Sequence, residues 1–496
     1  MIITHKRIQD GMKGQVSSII FDHPTDKPGH LTSCFLLTGM LLLFPGLSTN
    51  LYANWDEPDK LVNAIKNLQE KHNIPALAIV LMDKNEVLYS NVFSRTKRLS
   101  IGSPFRVGSI TKTFTALTLL RLADRGQISM DKPLKGLLPL NSYSNQWSAQ
   151  APLKAIHLLE HTSGLSDLSA QEFSSNAVLS LAQAMAVNPD SRKTYWPPGT
   201  RHSYSNVNPG LSSLLIEQAT GQSFEAVATR LLRDMGMPSA GFTQADAPNL
   251  PGGFKADGVS TIPYWNMSFR AYGALNISAA EMQAFLFFLL NNGRTCQGTK
   301  ILRSVTFEQL FSPRTSLASQ AGLTIGYGAG LYGWIKNGHV LHGHGGDADG
   351  YLSRYGIHRE SGRGYFVVIN IDNPKAIGQL RSLIENALTL NLEAHQVEQA
   401  KLNKTTLEQY SGTYYPSTTR FGVQQWLAGK KDSARISVKN GQLLFSYRGR
   451  KSILVPLGNH LFRRGNDPVA TIAIVNGSDN KLYLQGELGE FVRTAL

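Results

Sequence analysis

The hydrophobic and polar positions in the first part of the chain predict a helix, two strands and a second, buried helix. Residues 57–72 repeat apolar side chains at the spacing of an amphipathic helix. Two strand-like runs follow at 76–82 and 86–93, and polar turn residues separate them. The apolar run that leads to Gly126 has few polar positions on any side, which indicates a helix buried over most of its surface.

The middle of the chain predicts an inserted helical lobe and a returning sheet. Between about 133 and 292, helical patterns alternate with long loops rich in Ser, Asn, Gly and Pro. Four strands then follow at close spacing, which favours antiparallel pairing; they lie at 330–335, 340–344, 352–357 and 364–370. A helix at 377–390 closes the unit. The predicted fold class is α+β, an antiparallel sheet flanked by helices with an all-helical lobe inserted between its strands.

The C-terminal part of the chain has a different pattern, made of short β runs after a polar linker. Asn440-Gly441, between two of these runs, is a strong signal for a two-residue hairpin. We therefore predict a small all-β domain at the end of the chain. The predicted boundaries are 1–53 for a leader, 54–395 for the α+β domain and 404–496 for the all-β domain.

Composition and charge exclude some classes of partner. The 496 residues are 42% hydrophobic and 17% charged, as in a folded globular protein. The formal net charge is +14, but Lys and Arg are scattered along the chain without a long basic run, so we expect no nucleic-acid partner. The positive charge leaves open a peripheral association with the anionic polymers of a cell envelope.

The N-terminal segment has the order of a secretory signal peptide. Residues 35–44 form an apolar run that is too short to span a membrane, and small residues follow it up to Ala53. We expect cleavage near Ala53 and a periplasmic or secreted protein; an uncleaved anchor and a later start at Met12 are the alternatives. With Cys34 removed in this leader, we expect Cys296 to be unpaired and buried as a small hydrophobic side chain.

Candidate chemistry begins with Ser109 and Lys112, at the opening of the predicted buried helix. Their spacing places both side chains on one face of a helix, one turn apart. The free N–H groups and the positive end of the helix favour negative charge on the serine hydroxyl. Lys112 can accept that proton if burial lowers its pKa. A serine and a lysine at this spacing are also common in helices without a catalytic role. The pair therefore indicates catalysis only if other parts of the chain supply further catalytic residues.

Two later stretches could supply those partners. In Tyr204-Ser205-Asn206 the outer residues point the same way, and cations beside Tyr204 would lower its pKa and make it a general base. The run from His342 to Tyr351 is rich in glycine, so a ligand backbone can lie against a strand edge there. An N–H just beyond Gly346 could form an oxyanion hole with that of Ser109.

The same glycine-rich run has rival interpretations. Its histidines and aspartates could bind a metal, but the aspartate lies one position too far for the usual two-histidine, one-aspartate zinc pattern. A phosphate-binding loop would need a helix directly after it, whereas strands follow. We therefore expect neither a metal nor a cofactor. A glycine-rich hairpin with no role beyond structure is the remaining alternative.

Taken together and in this order, the motifs resemble those of the serine β-lactamase and penicillin-binding-protein superfamily. The branch that they resemble includes class C β-lactamases, D,D-carboxypeptidases, D-aminopeptidases and esterases. Two further stretches are similar to that branch, His157 to Leu165 and Pro198-Gly199-Thr200. The resemblance covers about Asp59 to Leu390 and implies a β-lactamase/transpeptidase-like fold, while the C-terminal part is similar to lipocalin-like domains.

The resemblance implies a role for each matching residue. Ser109 would be the acylated nucleophile, Lys112 its proton partner and Tyr204 the base that activates water. Asn206 would contact the substrate and Lys112. The remaining substrate-binding residues would be His344, Gly345, Gly346 and Asp347.

The chain departs from the usual pattern at His344, where lactamases and carboxypeptidases of this group carry lysine. Histidine is mostly neutral at pH 7, so the fixed cation that would hold a substrate carboxylate is missing. Asp347 and Asp349 add negative charge nearby. We therefore expect this end of the cleft to accept a neutral or amino-bearing group better than a carboxylate; two aspartates that only cap a turn are the alternative.

The sequence therefore predicts a secreted or periplasmic serine hydrolase that cleaves an amide or ester bond through an acyl-enzyme on Ser109. The substrate would be a small molecule or a short peptide, including one derived from the cell wall. One alternative is a β-lactamase or D,D-carboxypeptidase proper. The other is a non-catalytic module that binds penicillin or peptidoglycan fragments.

Overall fold

The computed structural model describes residues 54–95, 98–175, 177–394, 398–402, 404–420 and 432–493. The described residues all belong to one compact unit. The predicted leader, its cleavage site and the later start at Met12 lie outside the described residues. Within those residues, no helix combines the length and the apolar character needed to cross a membrane.

The helices and strands alternate along the chain, with the strands concentrated in two places. The α-helices are α1 (Pro58–Lys71), α2 (Thr111–Asp124), α3 (Ala155–Leu159), α4 (Ala170–Phe173), α5 (Leu181–Val187), α6 (Val207–Thr220), α7 (Phe224–Asp234), α8 (Ala279–Leu290), α9 (Ser304–Glu308), α10 (Leu317–Gln320), α11 (Pro374–Thr389) and α12 (Lys404–Gln409). The strands are β1 (Ala76–Asp83), β2 (Glu86–Ser94), β3 (Pro104–Arg106), β4 (Ser174–Ser175), β5 (Gly253–Phe254), β6 (Thr261–Ile262), β7 (Asn266–Met267), β8 (Asn276–Ser278), β9 (Tyr332–Lys336), β10 (His339–Ala348), β11 (Tyr351–His358), β12 (Arg363–Ile369), β13 (Gly412–Pro416), β14 (Ala434–Lys439), β15 (Gln442–Tyr447), β16 (Arg450–Gly458), β17 (Leu461–Arg464), β18 (Ile472–Asn476), β19 (Leu482–Gly486) and β20 (Phe491–Arg493).

A six-stranded antiparallel sheet forms the centre of the larger domain, in the order β2-β1-β12-β11-β10-β9. β1 and β2 come from the start of the domain and the other four strands from its end, as predicted. β1 is apolar at successive positions because both of its faces are covered. One face packs against α1 and α11, and the other against α2, α8 and the inserted lobe.

The inserted lobe is mainly helical and lies between β2 and β9. It also contains three short antiparallel ladders, β3–β8, β4–β7 and β5–β6. The predicted fold class, an α+β sheet with an inserted helical lobe, is confirmed.

The C-terminal part is a closed barrel of the strands β13 to β20. Lys439 pairs with Gln442, and the two residues between them, Asn440 and Gly441, have φ angles of 51° and 73°. This two-residue turn confirms the predicted hairpin, since positive φ at both central positions is typical of a type I′ turn. The barrel agrees with the predicted small all-β, lipocalin-like domain.

The barrel and the larger domain share an apolar cluster and several hydrogen bonds. The cluster combines Ile325 and Ile335 with Ala473 and Val475. The side chain of Gln485, which is fully buried, donates to the Thr200 carbonyl at 2.8 Å and accepts from the Ala318 N–H at 2.8 Å. The barrel is therefore packed directly onto the segment that leads to Tyr204.

Two local predictions differ from the structure. Ser109 does not lie in the long helix itself but in a 3₁₀ turn, Gly108–Ile110, that precedes α2. Cys296 is unpaired but exposed, so the prediction that it is buried was wrong. It lies in the turn after α8, where the neighbouring Thr295 takes the buried position instead.

Candidate active site

Ser109 is held in a tight turn between strand β3 and helix α2. Thr111 donates its hydroxyl hydrogen to the Gly108 carbonyl at 2.6 Å and accepts from the Leu275 N–H at 3.1 Å. Gly108 has a φ of 52°, and a Cβ there would lie 2.7 Å from the Asp347 nitrogen. Only glycine fits this position, since a side chain would be both strained and in contact with backbone.

Lys112 lies directly beside the serine hydroxyl and is only 4% exposed. Its Nζ is 3.0 Å from Ser109 Oγ and donates to the Tyr272 carbonyl at 2.7 Å. No carboxylate among the described residues forms an ion pair with it. Burial holds the pKa of Lys112 well below its usual range; the charge of Arg420 lowers it further, and the charge of Asp167 opposes both. A lysine whose pKa is lowered in this way can accept a proton as a base.

Tyr204 reaches the same two residues from the loop before α6. The Lys112 ammonium nitrogen lies 4.9 Å from the centre of its ring, and the ring stacks on His161 at 4.4 Å. Its buried hydroxyl has no partner of regular hydrogen-bond geometry among the described residues. Burial raises the pKa of Tyr204 above 10, and the adjacent Ser109 hydroxyl and the charge of Arg420 offset this rise only in part. The sequence-based expectation of a lowered pKa for Tyr204 therefore does not hold.

His161 supports the Tyr204 segment from behind. Its Nδ1 accepts from the Ser205 N–H at 3.1 Å and lies 2.9 Å from Asn208 Nδ2. Burial keeps the pKa of His161 well below 6.5, so its imidazole is neutral and accepts these hydrogen bonds. Its contacts are those of a residue that fixes the Tyr204 loop.

Asn206 precedes α6 and is fixed by Asp167. The Asp167 carboxylate accepts from the Asn206 N–H at 2.7 Å and from its side-chain amide at 3.3 Å. The Asn206 Oδ1 atom is buried and has no hydrogen-bond partner among the described residues. This amide oxygen is therefore available to accept a hydrogen bond.

Strand β10 brings the glycine-rich run against the Ser109 turn. β9 pairs with β10 only as far as Gly343, which leaves the outer edge of the second half of β10 facing that turn. A Cβ on Gly346 would lie 1.8 Å from the Val107 carbonyl oxygen and 2.8 Å from the Ser109 nitrogen. At this contact the backbone nitrogens of Ser109 and Asp347 lie on adjoining segments, since a Cβ on Gly108 would lie 2.7 Å from the Asp347 nitrogen.

His344 points away from the solvent and into a cluster of aromatic side chains. Its Nδ1 donates to the Gly345 carbonyl at 2.5 Å, and its Nε2 lies 2.8 Å from the Tyr327 hydroxyl, from which it accepts. Burial, with a smaller effect of the Lys112 charge, lowers the pKa of His344 to about 3. His344 is therefore a neutral residue with both nitrogens engaged, and it provides no cation for a substrate carboxylate.

Arginine side chains lie near the two carboxylates beside β10 and offset part of their negative charge. Asp347 is half-exposed and accepts from Arg354 Nη1 at 2.7 Å. Asp349 is more enclosed; burial raises its pKa, and Arg106 opposes the rise. Among the described residues, no group of three or more potential ligand side chains is arranged to hold a metal ion.

The structure brings Ser109, Lys112 and Tyr204 together and packs β10 against the Ser109 turn. Asn206 is bonded to Asp167, and among the described residues it makes no hydrogen bond to Lys112, the contact that the sequence predicted. Sequence reasoning missed two residues of this site, Asp167 and Arg420. Asp167 follows the Thr162-Ser163-Gly164 stretch closely, but nothing in its spacing singles it out. Arg420 belongs to the C-terminal part of the chain, 253 residues away from its partner Asp167.

A comparison with protein-family models gives a match over residues 61–389, to the family described as Beta-lactamase. The chain belongs to the Beta-lactamase family. It is thus a β-lactamase-related serine hydrolase, and the match contains Ser109, Lys112, Tyr204 and the β10 residues, but not Arg420.

Individual proteins of the superfamily are similar to this chain over different parts of its length. Penicillin-binding protein 4 of Amycolatopsis lactamdurans is 26% identical over 322 residues, which are 61% of this chain and 81% of that protein. The octameric penicillin-binding protein homologue from Pyrococcus abyssi has a TM-score of 0.56 at 20% identity and covers 88% of this chain and 100% of its own. A D-stereospecific amidohydrolase from Streptomyces sp. has a TM-score of 0.51 at 21% identity, over 64% of this chain and 97% of its own. These structural similarities establish the shared fold.

Proposed function

We propose that this protein hydrolyses amide or ester bonds through an acyl-enzyme formed on Ser109. The observation that carries the proposal is the position of Lys112, buried, without an ion pair among the described residues, and 3.0 Å from the serine hydroxyl. Because burial lowers its pKa, the amine is available in its neutral form to accept the serine proton. The N–H groups of Ser109 and Asp347, on segments that approach each other closely, would stabilise the oxyanion that forms on the attacked carbonyl.

Each proton in this reaction has a donor and an acceptor within the pocket. During acylation, Ser109 Oγ bonds to the carbonyl carbon and its proton passes to Lys112. The protonated Tyr204 hydroxyl gives its proton to the leaving amine or alcohol as the scissile bond breaks. Water then attacks the acyl group and gives its proton to the tyrosinate, while Lys112 returns its proton to Ser109. The raised pKa of Tyr204 suits a donor in acylation, and the nearby cations would stabilise the transient tyrosinate.

Covalent labelling tests the proposal directly. A fluorophosphonate probe should add one adduct to the intact protein, and Ser109→Ala should remove it while leaving the fold unchanged. Turnover of a p-nitrophenyl ester should fall by about 1,000-fold or more in the same variant, because the nucleophile is lost. An adduct that persists in Ser109→Ala would place the nucleophile elsewhere and contradict the proposal.

The substrate should carry a neutral or amino-bearing group at the end of the cleft formed by β10. His344 is neutral with a pKa of about 3, and two carboxylates lie nearby: Asp347, whose charge Arg354 partly offsets, and Asp349. A carboxylate placed there would meet no compensating histidine cation and would be disfavoured. The similarity to a D-stereospecific amidohydrolase and to penicillin-binding proteins makes D-amino-acid amides and cell-wall-derived peptides the compounds to test.

A matched substrate pair measures this preference. We expect kcat/KM for a D-amino-acid amide to exceed that for the corresponding peptide with a free terminal carboxylate by about tenfold, the effect of roughly one unfavourable charge interaction. Nitrocefin, which carries a carboxylate on its ring, should be turned over slowly. A preference for the carboxylate-terminated peptide, or rapid nitrocefin turnover, would favour the carboxypeptidase or β-lactamase alternative.

We also propose that the protein acts outside the cytoplasm, in the periplasm or in the medium. The support is the sequence pattern at 35–44 and up to Ala53. Fractionation of cells that express the full chain, together with the N-terminal sequence of the recovered protein, tests this directly.

A further inference from the structure

A segment of the barrel follows the edge of the candidate active site. After β13, the chain continues along the larger domain, where the Ser417 carbonyl accepts from Arg201 Nη1 at 2.9 Å. The Thr419 carbonyl lies 3.5 Å from the Ser203 hydroxyl, one residue before Tyr204. The Arg420 carbonyl then accepts from the Asp167 N–H at 2.6 Å. These bonds place the Arg420 side chain at the catalytic pocket.

Arg420 provides the countercharge for the carboxylate of Asp167. Its Nε donates to Asp167 Oδ2 at 2.6 Å, and the two side chains are 29% and 0% exposed. The Asp167 carboxylate also accepts from the Leu168 N–H and from both nitrogens of Asn206. A fully buried carboxylate needs such partners, and removal of the Arg420 guanidinium would leave a charge that is poorly compensated.

The same guanidinium contacts the catalytic tyrosine. The Arg420 guanidinium carbon lies 5.0 Å from the centre of the Tyr204 ring, within the distance at which a cation and an aromatic ring attract each other. Lys112 lies 4.9 Å from the same centre. Among the described residues, the phenol ring therefore has two cations nearby, Lys112 from the larger domain and Arg420 from the barrel.

We propose that Arg420 is a positioning residue of the active site, which the barrel supplies to hold Asp167, and through it Asn206 and the Tyr204 loop, in the reactive arrangement. The proposal rests on the hydrolase function proposed above, since it assigns Arg420 a part in that reaction. It also gives the C-terminal domain a role in the chemistry of a site that otherwise belongs to the larger domain.

The electrostatics of Lys112 support this assignment. Burial is the main cause of the low pKa of Lys112, but the charge of Arg420 lowers this pKa further, whereas the charge of Asp167 raises it. Neutralising Arg420 removes its charge effect and leaves burial opposed by the charge of Asp167 alone. The pKa of Lys112 should then rise, so that a higher pH is needed to obtain the neutral amine.

The pH profile of kcat/KM for an ester substrate tests the proposal on the full chain. Arg420→Gln should lower kcat/KM by about tenfold and move the acid limb of the profile to higher pH. Arg420→Lys keeps the positive charge and should leave the acid limb near that of the wild type. Tyr483→Phe removes the hydroxyl that accepts from Arg201 Nη2 at 2.9 Å, in the same interface but away from Asp167, and should behave as wild type.

Three results would overturn the proposal while the hydrolase function stands. One is a kcat/KM and an acid limb of Arg420→Gln that equal those of the wild type. The second is an equal displacement of the acid limb in Arg420→Gln and Arg420→Lys, because charge would then not be the cause. The third concerns the case in which Arg420→Gln does not fold. The double variant Asp167→Asn/Arg420→Gln then replaces it, because this variant leaves no unpaired charge. Its kcat/KM should fall about tenfold, and a wild-type value would contradict the proposal. Failure of the wild type to be labelled at Ser109 would instead refute the hydrolase function itself.

Discussion

Replacing Lys112 with alanine should lower kcat/KM for an activated ester by about 1,000-fold and remove the acid limb of the pH profile. The magnitude is that of a positioned general base, since the amine 3.0 Å from Ser109 Oγ would no longer accept the serine proton. In the wild type, kcat/KM should rise with pH through the pKa of Lys112, because only the neutral amine is active. Burial places that pKa well below its usual range, so activity should be retained to a pH far below that of an exposed lysine.

An exposed lysine provides the control for this variant. Lys60 lies on α1 and pairs with Glu57 at the surface, so Lys60→Ala should leave both the rate and the profile unchanged. If Lys112→Ala retained the acid limb, another group would be responsible for it, and the role of Lys112 as the base would have to be abandoned.

Replacing Gly346 with alanine should disrupt the site through a single methyl group. The added Cβ would lie 1.8 Å from the Val107 carbonyl oxygen and 2.8 Å from the Ser109 nitrogen, so β10 and the Ser109 turn must move apart. The Val107 carbonyl is also held by the Ser353 hydroxyl at 2.8 Å, which limits how far the turn can yield. We expect the unfolding free energy to fall by roughly 1–3 kcal/mol, the usual cost of overpacking.

The catalytic effect of this variant should be larger than its effect on stability. Displacement of the Ser109 and Asp347 N–H groups would weaken the oxyanion hole, and fluorophosphonate labelling should slow by about 100-fold or more. Gly378 in α11 is exposed and has open space around its Cβ position, so Gly378→Ala should label normally and gain about 0.5–1 kcal/mol of stability. Labelling of Gly346→Ala at the wild-type rate would show that the strand and the turn are not coupled as described.

The sequence predicted the secondary structure correctly where a short motif or a repeated apolar pattern marks the element. The apolar positions of β1 and β12 predicted their strands to within two residues, and Asn440-Gly441 predicted its hairpin. β10 was predicted to end at His344 but continues to Ala348, because glycines carry little strand signal even where pairing with β11 extends the strand. The order of the motifs allowed Ser109, Lys112 and Tyr204 to be placed in one pocket, although their roles there remain predictions.

The parts that sequence could not predict depend on burial and on distant contacts. Cations near Tyr204 were expected to lower its pKa, but the enclosure of its hydroxyl has the larger and opposite effect. Only the fold shows that His344 is turned towards Tyr327. No periodicity connects Arg420 with Asp167, since their contact joins two domains.

The buried Gln485 couples the unfolding of the barrel to that of the larger domain. Its single side chain satisfies backbone groups at Thr200 and Ala318, two segments of the larger domain, from inside the barrel wall. Separation of the two parts would leave these groups without their partners and expose the shared cluster around Ile325 and Val475 to water. The barrel and the hydrolase domain should therefore unfold in one cooperative transition. Detachment of the barrel from the hydrolase domain should by itself inactivate the enzyme.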